Sequence, residues 1–226
     1  GNKPVTALVF SHSHIDHFGG ALGVLTPQEV AERKVPVIAP AGFMEEATSE
    51  NVMVGTAMGR RSIYQFGRDL ERSAKGNVDT GLGKNVVYGT FGCLPPTQLI
   101  TKPTEELTLD GVHFVFHNVP GAEAPAELTF FIPAKKAYGG AENLAQTMHN
   151  LLPVRGAKVR DALRWSEYMD QALEQTAGTE VYFGQHNWPI WGNAHIQDFI
   201  KAHRDVYKYT HDQTVRLINA GYTRNE

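Results

Sequence analysis

The sequence predicts an α/β fold built in layers, and three observations carry that expectation. Apolar runs of strand length alternate with an amphipathic helix across residues 7–39. Residues 98–133 are β-patterned, and from residue 159 two helical stretches flank a short strand.

Taken in order, Ala7–Phe10 is the first apolar run, and a polar loop, Ser11–Gly20, follows it and ends on two glycines. Pro27–Arg33 reads as a helix, with Thr26 as N-cap and Pro27 where a missing N–H costs nothing. Val35–Ala39 reads as a buried strand. Residues 41–95 are Gly-rich and lack a strong period. So long an irregular stretch is uncommon in a compact domain unless it is functional. It is expected to be a substrate-side insertion, a flexible surface loop being the alternative. Leu107–Leu109, the turn Asp110-Gly111 and His113–Val119 read as a hairpin, and Leu128–Ile132 and Glu180–Phe183 as further strands. Apolar residues at 159, 162, 163, 169, 172 and 173 mark a helix closed by Gly178. Asn193 then caps a long helix whose buried stripe is expected at Ile196, Phe199, Ile200, Val206, Tyr207, Leu217 and Ile218.

Composition narrows the function classes. With 226 residues, 42% of them hydrophobic, the chain can bury a sizeable core and is not a disordered tail. Basic and acidic residues number 21 and 24, so no basic surplus recruits nucleic acid or an anionic membrane. No apolar run approaches the roughly 20 residues of a membrane span. The one cysteine, Cys93, cannot form an internal disulfide. The chain opens Gly-Asn-Lys-Pro and ends Thr223-Arg-Asn-Glu226, which has the form of a helix capping box with no helix after it. Both ends read as cuts in a longer protein.

The residue type in surplus is histidine: there are ten, and three fall in the segment Ser11-His12-Ser13-His14-Ile15-Asp16-His17-Phe18-Gly19-Gly20. Four candidate ligands within six positions can turn His12 and His14 toward one ion and Asp16 and His17 toward a neighbour. Imidazole and carboxylate suit zinc, and manganese or iron would accept them too. A solvated polar loop with coincidental histidines is the bland alternative, and H-x-H-x-D-H directly after a strand is a rare pattern.

That motif resembles the metallo-β-lactamase superfamily of dinuclear metallohydrolases. The resemblance implies an αββα sandwich with metals at one edge of its sheets and further ligands on later loops, here lacking N-terminal strands. Candidates downstream are Glu123 in NVPGAEAP, Glu142 in YGGAEN and His186 in YFGQHNW, with Glu127 and His195 as rivals. The stretches SHSHIDHFGG, NVPGAEAPAEL, AYGGAENLAQTMHNLLPVRGAKVRDALRWS and GQHNWPIWG narrow the resemblance to the alkyl sulfatases, zinc enzymes that cleave sulfate esters such as detergent alkyl sulfates. It implies two zinc ions, His12, His14 and Glu123 on one, Asp16, His17 and His186 on the other, and Glu142 bridging. Residues 1–192 would form the partial catalytic domain and 193–226 the start of a helical, dimerisation-like region. A homodimer and a periplasmic or secreted bacterial location are further implications.

A sulfate ester also needs cations and donors around its oxygens. Asn150, Arg155 and Arg160 follow Glu142 closely, and arginine can offer two parallel N–H groups to an oxyanion. Arg160 is expected in the first turn of a helix, where backbone N–H groups add to the potential. Asp16 and Glu142 would hold the ions and orient a water nucleophile. Tyr88 is a candidate proton donor, and a core tyrosine is the plainer reading. Competing hypotheses are another hydrolase of the same fold, acting on a lactam, lactone, thioester or phosphodiester, and an inactive metal-binding piece.

Overall fold

The structure is a computed structural model that describes residues 3–84 and 89–226. Tyr88 therefore lies outside the described residues. The described strands form two sheets. The first is parallel, in the order β1 (Leu8–Val9), β2 (Val37–Pro40), β3 (Gln98–Ile100). The second holds β4 (Thr104–Leu109), β5 (Val112–Asn118), β6 (Leu128–Ile132), β7 (Ala137–Gly139), β8 (Val181–Phe183) and β9 (Ile190–Trp191), adjacent in that order. It is antiparallel except between β7 and β8.

Side-chain alternation sorts the chain into layers. In β2, Ile38 joins Ile100, Phe116 and Leu128 in the core between the sheets. Its neighbours Val37 and Ala39 face the other way and pack with Phe10, Phe18, Phe43 and Leu94. With both faces covered, β2 reads as a continuous apolar run. On the outer face of the second sheet, Tyr138 and Tyr182 pack against Trp165, Met169, Ile196, Ile200 and Tyr207. These last come from α5 (Ala162–Gln175) and α6 (Asn193–Asn219). The order is helix, sheet, sheet, helix, the αββα sandwich that the resemblance to the metallo-β-lactamase superfamily implies.

Local expectations fare unevenly. α1 (Ile15–Phe18) is a single turn inside the histidine loop. α2 (Pro27–Arg33) has a complete capping box, the Thr26 hydroxyl accepting from the Glu29 N–H and Glu29 accepting from the Thr26 N–H. The stretch 41–95 is more ordered than its composition suggests. It contains α3 (Phe43–Thr48), a π-helical turn over Ser49–Met53, and α4 (Gly55–Phe66). Gly55 and Gly59 obscure the helical period of α4, which buries little beyond Met58.

Two further differences matter. α5 begins at Ala162 with Asp161 as its N-cap, accepting from the Arg164 N–H, so Arg160 precedes the helix rather than sitting in its first turn. The buried stripe of α6 runs only as far as Tyr207, whose ring stacks on Trp165 at 4.3 Å. Leu217 and Ile218 are exposed, because the second half of α6 extends beyond the layer it packs against, and Val206, beside Tyr207 in the packed half, is exposed as well. Among the described residues, no helix is long and apolar enough to cross a membrane.

Candidate metal centre

Topology brings the histidine loop and the later candidates to one sheet edge. β5 and β7 run antiparallel to β6, and β8 runs parallel to β7. The loops after β5, β7 and β8 therefore leave from the same side, carrying Glu123, Glu142 and His186. The histidine loop is tied there by a bridge between His12 and Glu127, with the Ser13 N–H donating to Ala126 and the Leu128 N–H to Ser11. A Cβ at Gly140 would stand 2.4 Å from the Tyr182 ring, so any side chain there would force the ring or the loop to shift. Ala141 next to it takes a left-handed φ of 50°, which aims Glu142 inward. Asn187, which follows His186, also takes a left-handed φ, of 80°.

Two groups of ligand atoms result. His12, His14, Glu123 and Glu142 form one, all buried; Asp16, His17, Glu142 and His186 form the other, so Glu142 is common to both. Within each group the ligand atoms lie within 4.8 Å of one another. His12 Nε2 is 3.0 Å and His17 Nε2 3.1 Å from the same Glu142 oxygen. His14 Nδ1 is 2.9 Å from Glu123 Oε2. His186 Nε2 lies 3.1 Å from His17 Nε2 and 3.4 Å from Asp16. Asp16 is the solvent-facing member.

Backbone and side-chain partners set the tautomers. The Ser11 hydroxyl gives its proton to Gln185, so it accepts from His12 Nδ1 and leaves a lone pair on Nε2. His186 Nδ1 donates to the Leu82 carbonyl, which likewise frees Nε2. On the far side of His14, Glu50 Oε2 lies 3.7 Å from Nε2. A carboxylate behind a ligating imidazole is a common orienting partner.

The electrostatics ask for cations. Burial and the neighbouring His17 push His12 down to about 4, which keeps it neutral. Burial would lower His14 as well, but the Glu123 charge outweighs it and raises His14 to about 10. His17 is raised to about 10 against its burial by Asp16 and Glu142, and His186 to about 9 by the same two groups. Glu142 is held well below the carboxylate range, the histidines packed around it, His14, His17 and His149 among them, overcoming its burial. Protons thus supply positive charge that divalent ions would replace. Glu123 Oε2 and Glu142 Oε1 are buried without a hydrogen bond of good geometry. Unsatisfied acceptors facing one another inside a protein are costly unless a cation serves them. The donor set therefore fits metal ions.

The anion-binding candidates separate. Asn150 is exposed on the wall of a cavity of about 330 Å³ that also touches His186, His149, Phe66, Leu82 and Met148. Arg155 is half-buried, 3.5 Å from Glu50, with its own N–H donating to Gln65 of α4. Arg160 is not open to that cavity. It is buried, and its guanidinium donates to the Glu123 carbonyl, the Glu123 carboxylate and Asn150. His149 lies 3.3 Å from Glu123 Oε1 and 3.4 Å from Glu142 Oε1. Neither Glu50 nor His149 announces this in sequence, since Glu50 belongs to no motif and only the fold carries it to His14. His195, the rival to His186, is exposed on α6, and Glu127 belongs to neither ligand group.

A sandwich of this topology, with an H-x-H-x-D-H loop at its edge and carboxylate and histidine ligands on later loops, defines a class of metallohydrolase. Residues 1–186 match the metallo-beta-lactamase superfamily, and the chain belongs to it. Within that class it is similar to sulfatases. The alkyl/aryl-sulfatase BDS1 of Saccharomyces cerevisiae is 45% identical over 225 residues, 99% of this chain and 35% of that protein. A linear primary-alkylsulfatase of Pseudomonas sp is 44% identical over 225 residues, covering 99% of this chain and 33% of its own. The structure of the stereoselective inverting sec-alkylsulfatase Pisa1 from Pseudomonas sp. superposes with a TM-score of 0.94 at 44% identity, over 98% of this chain and 35% of that one. The DIM-1 metallo-beta-lactamase, at 11% identity and a TM-score of 0.51, shares the fold alone. The chain spans about a third of the length of the curated relatives it matches.

Proposed function

We propose that this chain carries the active site of a zinc-dependent alkyl sulfatase, releasing an alcohol and inorganic sulfate from alkyl sulfate esters. The observation that carries the reading is the pair of ligand groups sharing Glu142 beside a cavity with both polar and apolar walls. The 44–45% identity to alkylsulfatases over almost the whole chain supports the substrate class.

In this reading His12, His14 and Glu123 would hold one zinc ion, Asp16, His17 and His186 a second, and Glu142 would be available to both. Such ions supply a water nucleophile at neutral pH and accept charge developing on the sulfate. The chain's own residues do the positioning. Asp16, at the solvent-facing side, and Glu142, between the two groups, orient the attacking water. Arg155 and Asn150 take the sulfate oxygens, Arg155 having a guanidinium charge only partly engaged by Glu50. Arg160 acts through Glu123, whose free oxygen it holds. Phe66, Leu82 and Met148 offer the alkyl chain an apolar wall. Residues 193–226 belong to this reading as the start of a helical region through which the longer protein would dimerise.

The test is a substrate panel: sulfate release from dodecyl sulfate, measured beside nitrocefin and a phosphodiester. Turnover of dodecyl sulfate alone is expected. Arg155→Ala should lower its kcat/KM about 10- to 100-fold, the worth of one charge-assisted hydrogen bond, with metal content unchanged. Preferential turnover of nitrocefin or of the phosphodiester would replace this reading with another hydrolase of the same fold.

A further inference from the structure

We propose that Glu127 is a positioning residue that clamps the metal centre by holding the backbones of its ligand loops, and is not itself a ligand. The inference deepens the metal reading above and rests on it. Glu127 is fully buried, four residues after Glu123, yet it belongs to neither group of ligand atoms. Its two oxygens are already committed. Oε1 accepts from the backbone N–H of Glu142 at 3.1 Å, and Oε2 from that of Ala124 at 3.2 Å. One carboxylate thus fixes the peptide that carries the shared ligand and the peptide that follows Glu123.

The backbone of Glu127 extends the same grip. It stands opposite His12 in an isolated bridge, and its carbonyl accepts from the Val119 N–H at 2.9 Å, closing the loop from which Glu123 projects. Three of the four members of the first group, His12, Glu123 and Glu142, are therefore tied to this single residue. The chemistry explains why the residue is Glu. Two N–H donors converge from opposite ends, and only a carboxyl group offers an acceptor to each; an amide would turn its NH2 against one of them. Shortening the side chain to Asp would withdraw it from one donor or the other.

The experiment compares the unsubstituted chain with Glu127→Gln, and with Glu127→Asp should the first fail to fold. Zinc is titrated in competition with a chromophoric chelator, and amide exchange is followed on the metal-free chains. Affinity is expected to fall about 10-fold or more, within the range for groups that orient ligands, while the number of ions bound at saturating zinc stays that of the parent. Exchange at Ala124 or Glu142 should accelerate in the variant. A loss of one bound ion at saturation would show Glu127 to be a ligand and overturn the clamp. Affinity within twofold of the parent, or unchanged protection at both amides, would overturn it too. Absence of zinc from the unsubstituted chain would overturn the metal reading instead, and the exchange measurement would still decide whether Glu127 holds the two loops.

Discussion

His186 and Glu142 differ in what their loss should do. Glu142 belongs to both ligand groups and His186 to one. In the proposed dinuclear site, Glu142→Ala should therefore deplete both ions, whereas His186→Ala should leave close to one per chain, read by elemental analysis after dialysis. Turnover should fall more than about 100-fold in each, since a ligand contributes at least as much as the groups that orient it. Outside the site, His117 predicts a pH effect. It is buried on β5, with Nδ1 3.1 Å from the Thr104 hydroxyl, and burial lowers it to about 4. The unfolded chain then binds a proton between roughly pH 4 and 6.5 that the folded chain refuses, so stability rises with pH across that window. The contribution is complete above it and is lost as pH falls, by up to about 3 kcal/mol. Denaturant midpoints from pH 4 to 7 should be flatter for His117→Gln than for the parent.

At the scale of elements, the strand ends decide how well the ligands are aimed. β7 and β8 run in parallel, so the chain leaves both at one edge, and the Gly140 N–H donates to Phe183 as the two part. The close approach of Tyr182 to Gly140 keeps that exit tight. Gly140→Ala would force the ring or the Glu142 loop to move. We expect a loss of about 1–3 kcal/mol in unfolding free energy, the usual cost of overpacking, together with weaker zinc binding. A variant with parental stability would show that the contact can relax. The helical layer behaves differently. Trp165 and Tyr207 join α5 to the first half of α6, while Tyr209, Leu217 and Ile218 further along are left exposed.

For the whole molecule, folding and metal binding are linked. The ligands come from loops after β1, β5, β7 and β8, which belong to both sheets, so an ion held among them cross-links the sandwich. Ligand at about a thousand times its dissociation constant stabilises by about 4 kcal/mol per site. In a domain of this size that corresponds to a Tm change of roughly 10 °C. Chelation should lower the melting temperature by at least that much, and re-addition of zinc should restore it. Indifference to chelator would mean that the carboxylates and histidines are satisfied by protons alone.

Much of the fold was legible because its signals are local. The Thr26–Glu29 capping box, the Asp110-Gly111 hairpin and the apolar run at β2 follow from side-chain chemistry within a few residues. α3 and α4 were not legible, since glycines and exposed apolar residues such as Met44 and Tyr64 blur their period. The far half of α6 misled in the opposite direction, its apolar spacing having no layer to bury it.

The sequence by itself determined the donor chemistry. Histidine and carboxylate at H-x-H-x-D-H spacing after a strand, and acidic or imidazole side chains after later strands, mark a metal-binding edge without coordinates. Only the tertiary structure decided what each group faces. It turned Arg160 onto Glu123, set Glu50 behind His14, and spent both oxygens of Glu127 on backbone N–H groups. The reason is physical. A ligand set is defined by residue types and strand ends, which are written locally, whereas the partner of a buried charge depends on which distant loop the sheet register delivers to it.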